Sequence, residues 1–130
     1  MLSCARGKCM STEKITALDF ITCYSADFNL PYPNLHGENN FKYGELANRR
    51  LLVQGAIKDL VTSGLLNVTI DHGYLFSLTD NGKKYSRKFR CDYASDYREI
   101  TKAAIKKYKD YGDNDLLDII QRRSLQTPRG

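Results

Sequence analysis

The stretch "VTSGLLNVTIDHGYLFSLTDNG", Val61 to Gly82, decides how this chain is read. A helical pattern runs into it and stops at Gly64, the residue type that most readily closes a helix. "LLNVTI" and "GYLFSL" then read as two short strands, with "DHG" supplying the turn between them. Thr79 follows as an N-cap and opens a helix through "DNGKKYSRKFR", in which Tyr85 and Phe89 are expected to point inward.

Upstream, Tyr43 to Ser63 has the pattern of a long helix. Leu46, Val53, Ile57 and Leu60 form one apolar stripe, and Leu52, Ala56 and Val61 broaden it. Gly55 inside that helix costs about 1 kcal/mol relative to Ala, so a close approach of another backbone is expected there. Further upstream, Ser11 or Thr12 caps a first helix that reaches about Cys23, with Ile15, Leu18 and Ile21 on its apolar face. Between the two helices, residues 25–42 have no periodicity and contain Pro31 and Pro33. Loops this long are uncommon inside compact domains. This one carries Phe28, Leu30, Tyr32 and Leu35, so it is expected to pack. Downstream, Ser95 to Tyr111 reads as a helix, "LLDII" as a short last helix, and "QTPRG" as a tail. There is no internal repeat.

Helix, long helix, hairpin and capped helix is the order of a winged-helix domain, with the hairpin as the wing. The expected class is α+β, mainly α, with additional C-terminal helices. Residues 1–10 are set apart as a flexible N-terminal extension, 11–111 as the winged-helix-like domain, and 112–130 as a short C-terminal helix and tail. The short second helix usual in winged helices is replaced here by the loop 25–42.

The chain of 130 residues, 42% hydrophobic and 27% charged, fits one ordinary globular domain. No apolar run approaches the ~20 residues needed to cross a bilayer, and "MLSCARGKCM" is too short and polar for a secretory signal. A cytoplasmic location with no membrane contact is expected. Of Cys4, Cys9, Cys23 and Cys91, only the first two lie near each other, which is not the paired spacing of a zinc site. Neither a metal nor a cofactor is expected.

Charge is distributed unevenly. Residues 1–82 carry 7 Lys/Arg against 8 Asp/Glu, and residues 83–130 carry 13 against 7. The basic C-terminal third suits nucleic acid or an acidic protein surface. Within it Lys83, Arg87 and Arg90 fall at i, i+4 and i+7, flanked by Lys84 and Lys88. This is either a solvated face or a contact for phosphates or an acidic partner.

His36, with Glu38, Glu45 and Arg49 nearby, can be drawn as a general base or as a loop-capping side chain. No second histidine, activated nucleophile or phosphate-cradling glycine loop accompanies it, so no catalytic residues are assigned and the chain is expected not to be an enzyme. Arg50 shares the helical stripe of Leu46, Val53 and Ile57. A charge buried there needs a partner, for which Asp19 and Glu45 are candidates. Arg49 points about 100° away and is expected to be more exposed.

Several segments resemble one known family. "LDFITCYS", "PNLHGE", "GELANRRLLVQGAIKDLVTSGLL", "GYLFSLT" and "CDYASDYREI" are similar to the middle component of three-component ABC ATPase defence systems, the group that includes Lamassu. The most specific matches are Pro33, Leu35 and His36, Gly44 and Glu45, and Arg49 and Arg50. The resemblance implies a small non-enzymatic adaptor in a bacterial antiphage complex. Its partners would be an SMC/Rad50-like ABC ATPase and a separate effector, often a nuclease, with DNA met through the complex. Leu35, His36, Glu45, Arg49 and Arg50 would then shape the loop–helix junction or bind a partner. A DNA-binding winged-helix transcription regulator is the competing reading, supported by the basic C-terminal third.

Overall fold

The computed structural model of the protein describes residues 1–2, 9–35, 46–89 and 91–126. Helix α1 (Thr12–Cys23) is the axis of the molecule, and α2 (Leu46–Thr62), α4 (Asp92–Lys107) and α5 (Asp113–Gln126) all pack against it. The hairpin β1 (Leu66–Ile70) and β2 (Tyr74–Leu78), with helix α3 (Asp80–Ser86), stands between α2 and α4 in the chain. The result is mainly helical, with one two-stranded antiparallel sheet among the described residues, in agreement with the expected α+β class.

Helix α1 buries more than one face. Ile15, Ala17, Leu18, Phe20, Ile21 and Cys23 are all covered, as are Thr16 and Thr22. A helix covered on most of its sides belongs inside a core, and only Thr12, Glu13, Lys14 and Asp19 of α1 keep partial exposure. Its buried hydroxyls are satisfied: Thr16 Oγ1 donates to the Thr12 carbonyl at 2.8 Å, and Thr22 meets Thr101 of α4 at 3.3 Å. Ser11 caps the helix by accepting from the Lys14 N–H, and its hydroxyl donates to Asp113 at the start of α5. Leu116 and Ile120 of α5 are buried. This helix is therefore longer than the "LLDII" segment expected from sequence, and it is part of the core. Met10, set by its sequence in the N-terminal extension, is also a core residue. It exchanges both backbone hydrogen bonds with Phe76 of β2.

Of the loop expected at 25–42, residues 25–35 pack as expected, and 36–42 lie outside the described residues. A 3-10 turn (Ser25–Phe28) brings Phe28 edge-on to Phe20 at 6.2 Å, and Asn29 closes the turn at φ 60°. Asn34 folds back to accept the Ala26 N–H at 2.8 Å. Two distant cations fasten the turn's carbonyls, Lys107 on Phe28 and Arg123 on Asp27.

The junctions on either side of the hairpin form as their residue types predict. The Leu65 N–H reaches the Leu60 carbonyl and the Gly64 N–H the Val61 carbonyl, the paired bonds of a glycine-closed helix end. Thr79 joins two elements: its hydroxyl accepts from the Gly82 N–H at 2.9 Å and donates to the Gly64 carbonyl at 2.8 Å.

Three packing expectations are corrected. Gly55 has no atom within 4 Å of the position its Cβ would take. The close approach occurs at Gly82, where a Cβ would sit 2.1 Å from the Leu65 carbonyl oxygen. Leu52 and Ala56 do not broaden the buried stripe of α2; both are exposed. Tyr85 and Phe89 do not point into the core but stand half exposed, ring to ring at 5.4 Å. Helix α3 is too short to carry both under cover, since it ends at Ser86.

Candidate functional site

A polar cluster lies between α1, α2 and α4, and an apolar groove opens beside it. Asp19 is the centre of the cluster. Its Oδ2 accepts from Arg49 at 2.7 Å and its Oδ1 from the Tyr97 hydroxyl at 2.5 Å. A second Arg49 nitrogen lies 3.4 Å from the Cys23 sulfur, and Tyr93 stacks on Tyr97 at 6.2 Å. Spacing produces this arrangement: Asp19 and Cys23 lie one turn apart on α1, as do Tyr93 and Tyr97 on α4.

The electrostatics follow from burial. Desolvation, reinforced by the Asp19 carboxylate, pushes the Cys23 thiol up to about 12, so it is a protonated thiol and not a nucleophile. Burial, followed by the Asp19 charge, also raises the Tyr97 phenol. Burial is the largest influence on Arg49 and opposes its charge, but Asp19 together with Cys23 and Tyr24 offsets it, and the guanidinium is held protonated.

This cluster reverses the expectation for the two arginines. Arg49 is the covered one: its side chain and that of Asp19 are 17% and 18% exposed. Arg50 pairs with Glu13 at 2.6 Å on the surface, at 55% and 35%. Both arginines flank the apolar stripe of α2, one on each side. Which is buried depends on which side α1 presents its carboxylate, and periodicity alone does not contain that information.

Of the other residues singled out, Leu35 is partly buried against the core. His36, Glu45 and Arg90 lie outside the described residues. Lys83, Lys84, Arg87 and Lys88 are on or just after α3; Lys84 and Lys88 stand clear of the core and, with the other two, form a cationic edge. His72 occupies the hairpin turn at φ 54°, as its sequence setting suggested. Among the described residues no group of three or more His, Cys, Asp or Glu is arranged to hold a metal, and no helix is long and apolar enough to cross a membrane.

The groove was not visible in the sequence. It is an apolar cavity of about 560 Å³ bounded by α2, α3 and the first turns of α4, with Met1 and Leu2 also against it. Ile57 and Leu66 form its floor, while Val53, Leu60, Tyr85 and Phe89 form its walls. Arg98 of α4 donates to the carbonyls of Ser86 and Phe89 and so fixes the end of α3 over the groove. The half-exposed Tyr85 and Phe89 were the available signal: spaced i, i+4, they needed a partner surface that the short α3 does not have.

Fold and side chains together define a small, mainly helical α+β protein with a polar cluster braced inside it and an apolar groove left open beside a cationic helix. Its sequence matches the family model described as ABC-three component (ABC-3C) system Middle Component 2 over residues 1–129, and the chain belongs to that family. It is thus a component of a multi-component ABC system, as the resemblance implied. No curated protein matches it, and no solved structure does.

Proposed function

We propose that this chain is a non-enzymatic adaptor, holding an SMC/Rad50-like ABC ATPase and a nuclease-type effector together in a Lamassu-like antiphage complex of the bacterial cytoplasm. Membership in a family of middle components carries this reading. The side chains of the polar cluster support it, because they serve packing. Cys23 is held as a thiol, and Asp19, Arg49 and Tyr97 bond to one another across three helices. The winged-helix arrangement belongs to the same proposal. Its support is the α1, α2, hairpin, α3 order, with the Met10–Phe76 bridge as a third short stretch of sheet.

Reconstitution tests the proposal. The ATPase and effector should co-purify only when this chain is present, and the pure chain should hydrolyse neither nucleotide nor DNA. A stable ATPase–effector complex formed without it would refute the adaptor role.

The exposed cations Lys84, Arg87 and Lys88, with Lys83 beside them, favour one other reading, a DNA-binding regulator. On α2 itself Asn48, Arg50 and Gln54 are exposed beside Leu51 and Leu52, but Arg50 is already paired with Glu13, which competes with base readout.

A further inference from the structure

We infer that the outer edge of β1 pairs with the same edge of a second copy of this chain, antiparallel and in register about Val68. The inference is independent of the adaptor reading, since it concerns how copies of this chain meet each other. Strand pairing decides which backbone groups are free. Phe76 exchanges both its backbone bonds with Met10 on the far edge of β2, so Phe76 and its partner Val68 share no ladder bond. Ladder bonds alternate along an antiparallel pair. Leu66, Val68 and Ile70 therefore turn their N–H and C=O away from β2, whereas Asn67 and Thr69 bond to it. Among the described residues no group bonds to those outward N–H and C=O groups, and no other strand lies along β1.

Such an edge is ordinarily blunted by charge, proline or a bulge. The strand Leu66–Ile70, "LNVTI", has no charged residue and no proline, and it pairs with β2 residue for residue. One of its faces carries apolar side chains beyond the core: Val68 is 42% exposed, Ile70 76%, and Tyr74 opposite Ile70 65%.

Register chooses the occupant. A two-fold axis at Val68 sets Val68 against Val68 of the second copy, and Leu66 of each copy against Ile70 of the other. These are the residues with outward backbone groups, so each opposed pair can exchange both its bonds, about six in all. Leu66, Val68 and Ile70 of both copies then share one face, and Asn67 and Thr69 share the other. Asp71 falls opposite Leu65, so no carboxylate meets another. A strand from a different protein would have to supply this alternation and register, whereas a second copy has both by symmetry. Five-residue strands bury far less than the ~1,200 Å² of a stable interface, so the dimer is weak, with a dissociation constant on the order of 0.1 mM.

The test uses the full-length protein. Analytical ultracentrifugation should find mainly dimer at about 1 mM and monomer at about 10 μM. Between those concentrations amide exchange followed by NMR should slow about fivefold at Val68 and Ile70 and stay unchanged at Asn67 and Thr69, which are bonded within the hairpin. Val68→Lys and Val68→Glu each set like charges face to face across the axis, so each alone should be monomeric at about 1 mM. An equimolar mixture of the two should dimerise again. Circular dichroism melts at about 10 μM check that both variants fold, and the exchange measurement on the unsubstituted chain decides the matter if either does not. Any of five results would overturn the inference: a monomer at about 1 mM, exchange at Val68 and Ile70 that ignores concentration, a Val68→Lys chain that dimerises as before, a mixture of folded variants that stays monomeric, or an edge that pairs only with an extended segment of another subunit.

Discussion

Replacing Arg49 with Ala removes the cation that pairs with Asp19 in the α1–α2–α4 cluster. The mutation deletes a 2.7 Å ion pair and the 3.4 Å approach to Cys23, leaving the Asp19 carboxylate with the Tyr97 hydroxyl. Breaking a buried pair from one side costs roughly 3–5 kcal/mol, because the stranded charge keeps its desolvation penalty. Arg49 and Asp19 retain 17% and 18% exposure, so water softens that cost, and about 3 kcal/mol is the working figure. Arg50→Ala breaks a pair at 55% and 35% exposure, and such surface pairs contribute ~0–1 kcal/mol. The difference between the mutants is therefore about 2–3 kcal/mol. For a chain of this size 1 kcal/mol moves the melting temperature by about 4 °C, giving a gap of roughly 10 °C. Urea titration and thermal melts of both mutants measure it. Asp19→Asn in the Arg49→Ala background supplies the control: neutralising the stranded carboxylate should recover part of the loss. Equal losses in the two single mutants, or a larger loss for Arg50→Ala, would refute the assignment of Arg49 as the covered member.

Stability should be flat near neutral pH and fall as the pH rises above about 9. Cys23 is held up to about 12 against an ordinary 9.0, so the folded state keeps a proton that the unfolded state releases. Each such group lowers stability by up to ~1.4 kcal/mol per pH unit in that window, and denaturant midpoints at pH 7, 9 and 10.5 measure the fall. A thiol reagent applied to the native protein should label the exposed Cys9 and Cys91 rapidly and Cys23 only on unfolding, as peptide mapping would show. Gly55 and Gly82, both inside helices, should respond to Ala with opposite signs. Gly82→Ala, which drives a methyl into the Leu65 carbonyl, should cost ~1–3 kcal/mol, whereas Gly55→Ala, facing open space, should gain about 0.5–1 kcal/mol in urea midpoints. DNA binding by the chain alone should be weak and indifferent to sequence. Neutralising any one of Lys83, Lys84, Arg87 or Lys88 that touches a phosphate should lower the slope of log affinity against log salt by about 0.9.

The sequence by itself determined the elements whose causes are local. Gly64 closes α2, Asp71 to Gly73 form the turn, Thr79 caps α3 and Ser11 caps α1. Each depends on hydrogen bonds within a few residues, so spacing and residue type suffice. The packing of residues 25–35 was also legible, because Phe28 and Leu30 would have no purpose in a solvated linker. Membership in a family of middle components was legible for a different reason, since it rests on strings of residues and not on geometry.

What only the tertiary structure decided is the set of questions that periodicity leaves degenerate. On α2 the apolar stripe has Arg49 on one side and Arg50 on the other. Asp19 faces the first and Glu13 the second, at separate positions along α1, and that placement alone settles which arginine is covered. Gly55 and Gly82 look alike in a string of letters, yet of the two only Gly82 has a neighbouring carbonyl close to it. Tyr85 and Phe89 have the spacing of a core face, but α3 ends too early to be covered, and their rings became the wall of a groove. In each case the sequence records a side chain's direction from its own helix axis. Burial depends on what lies in that direction, and the distance between elements far apart in the chain is fixed only once the core has packed.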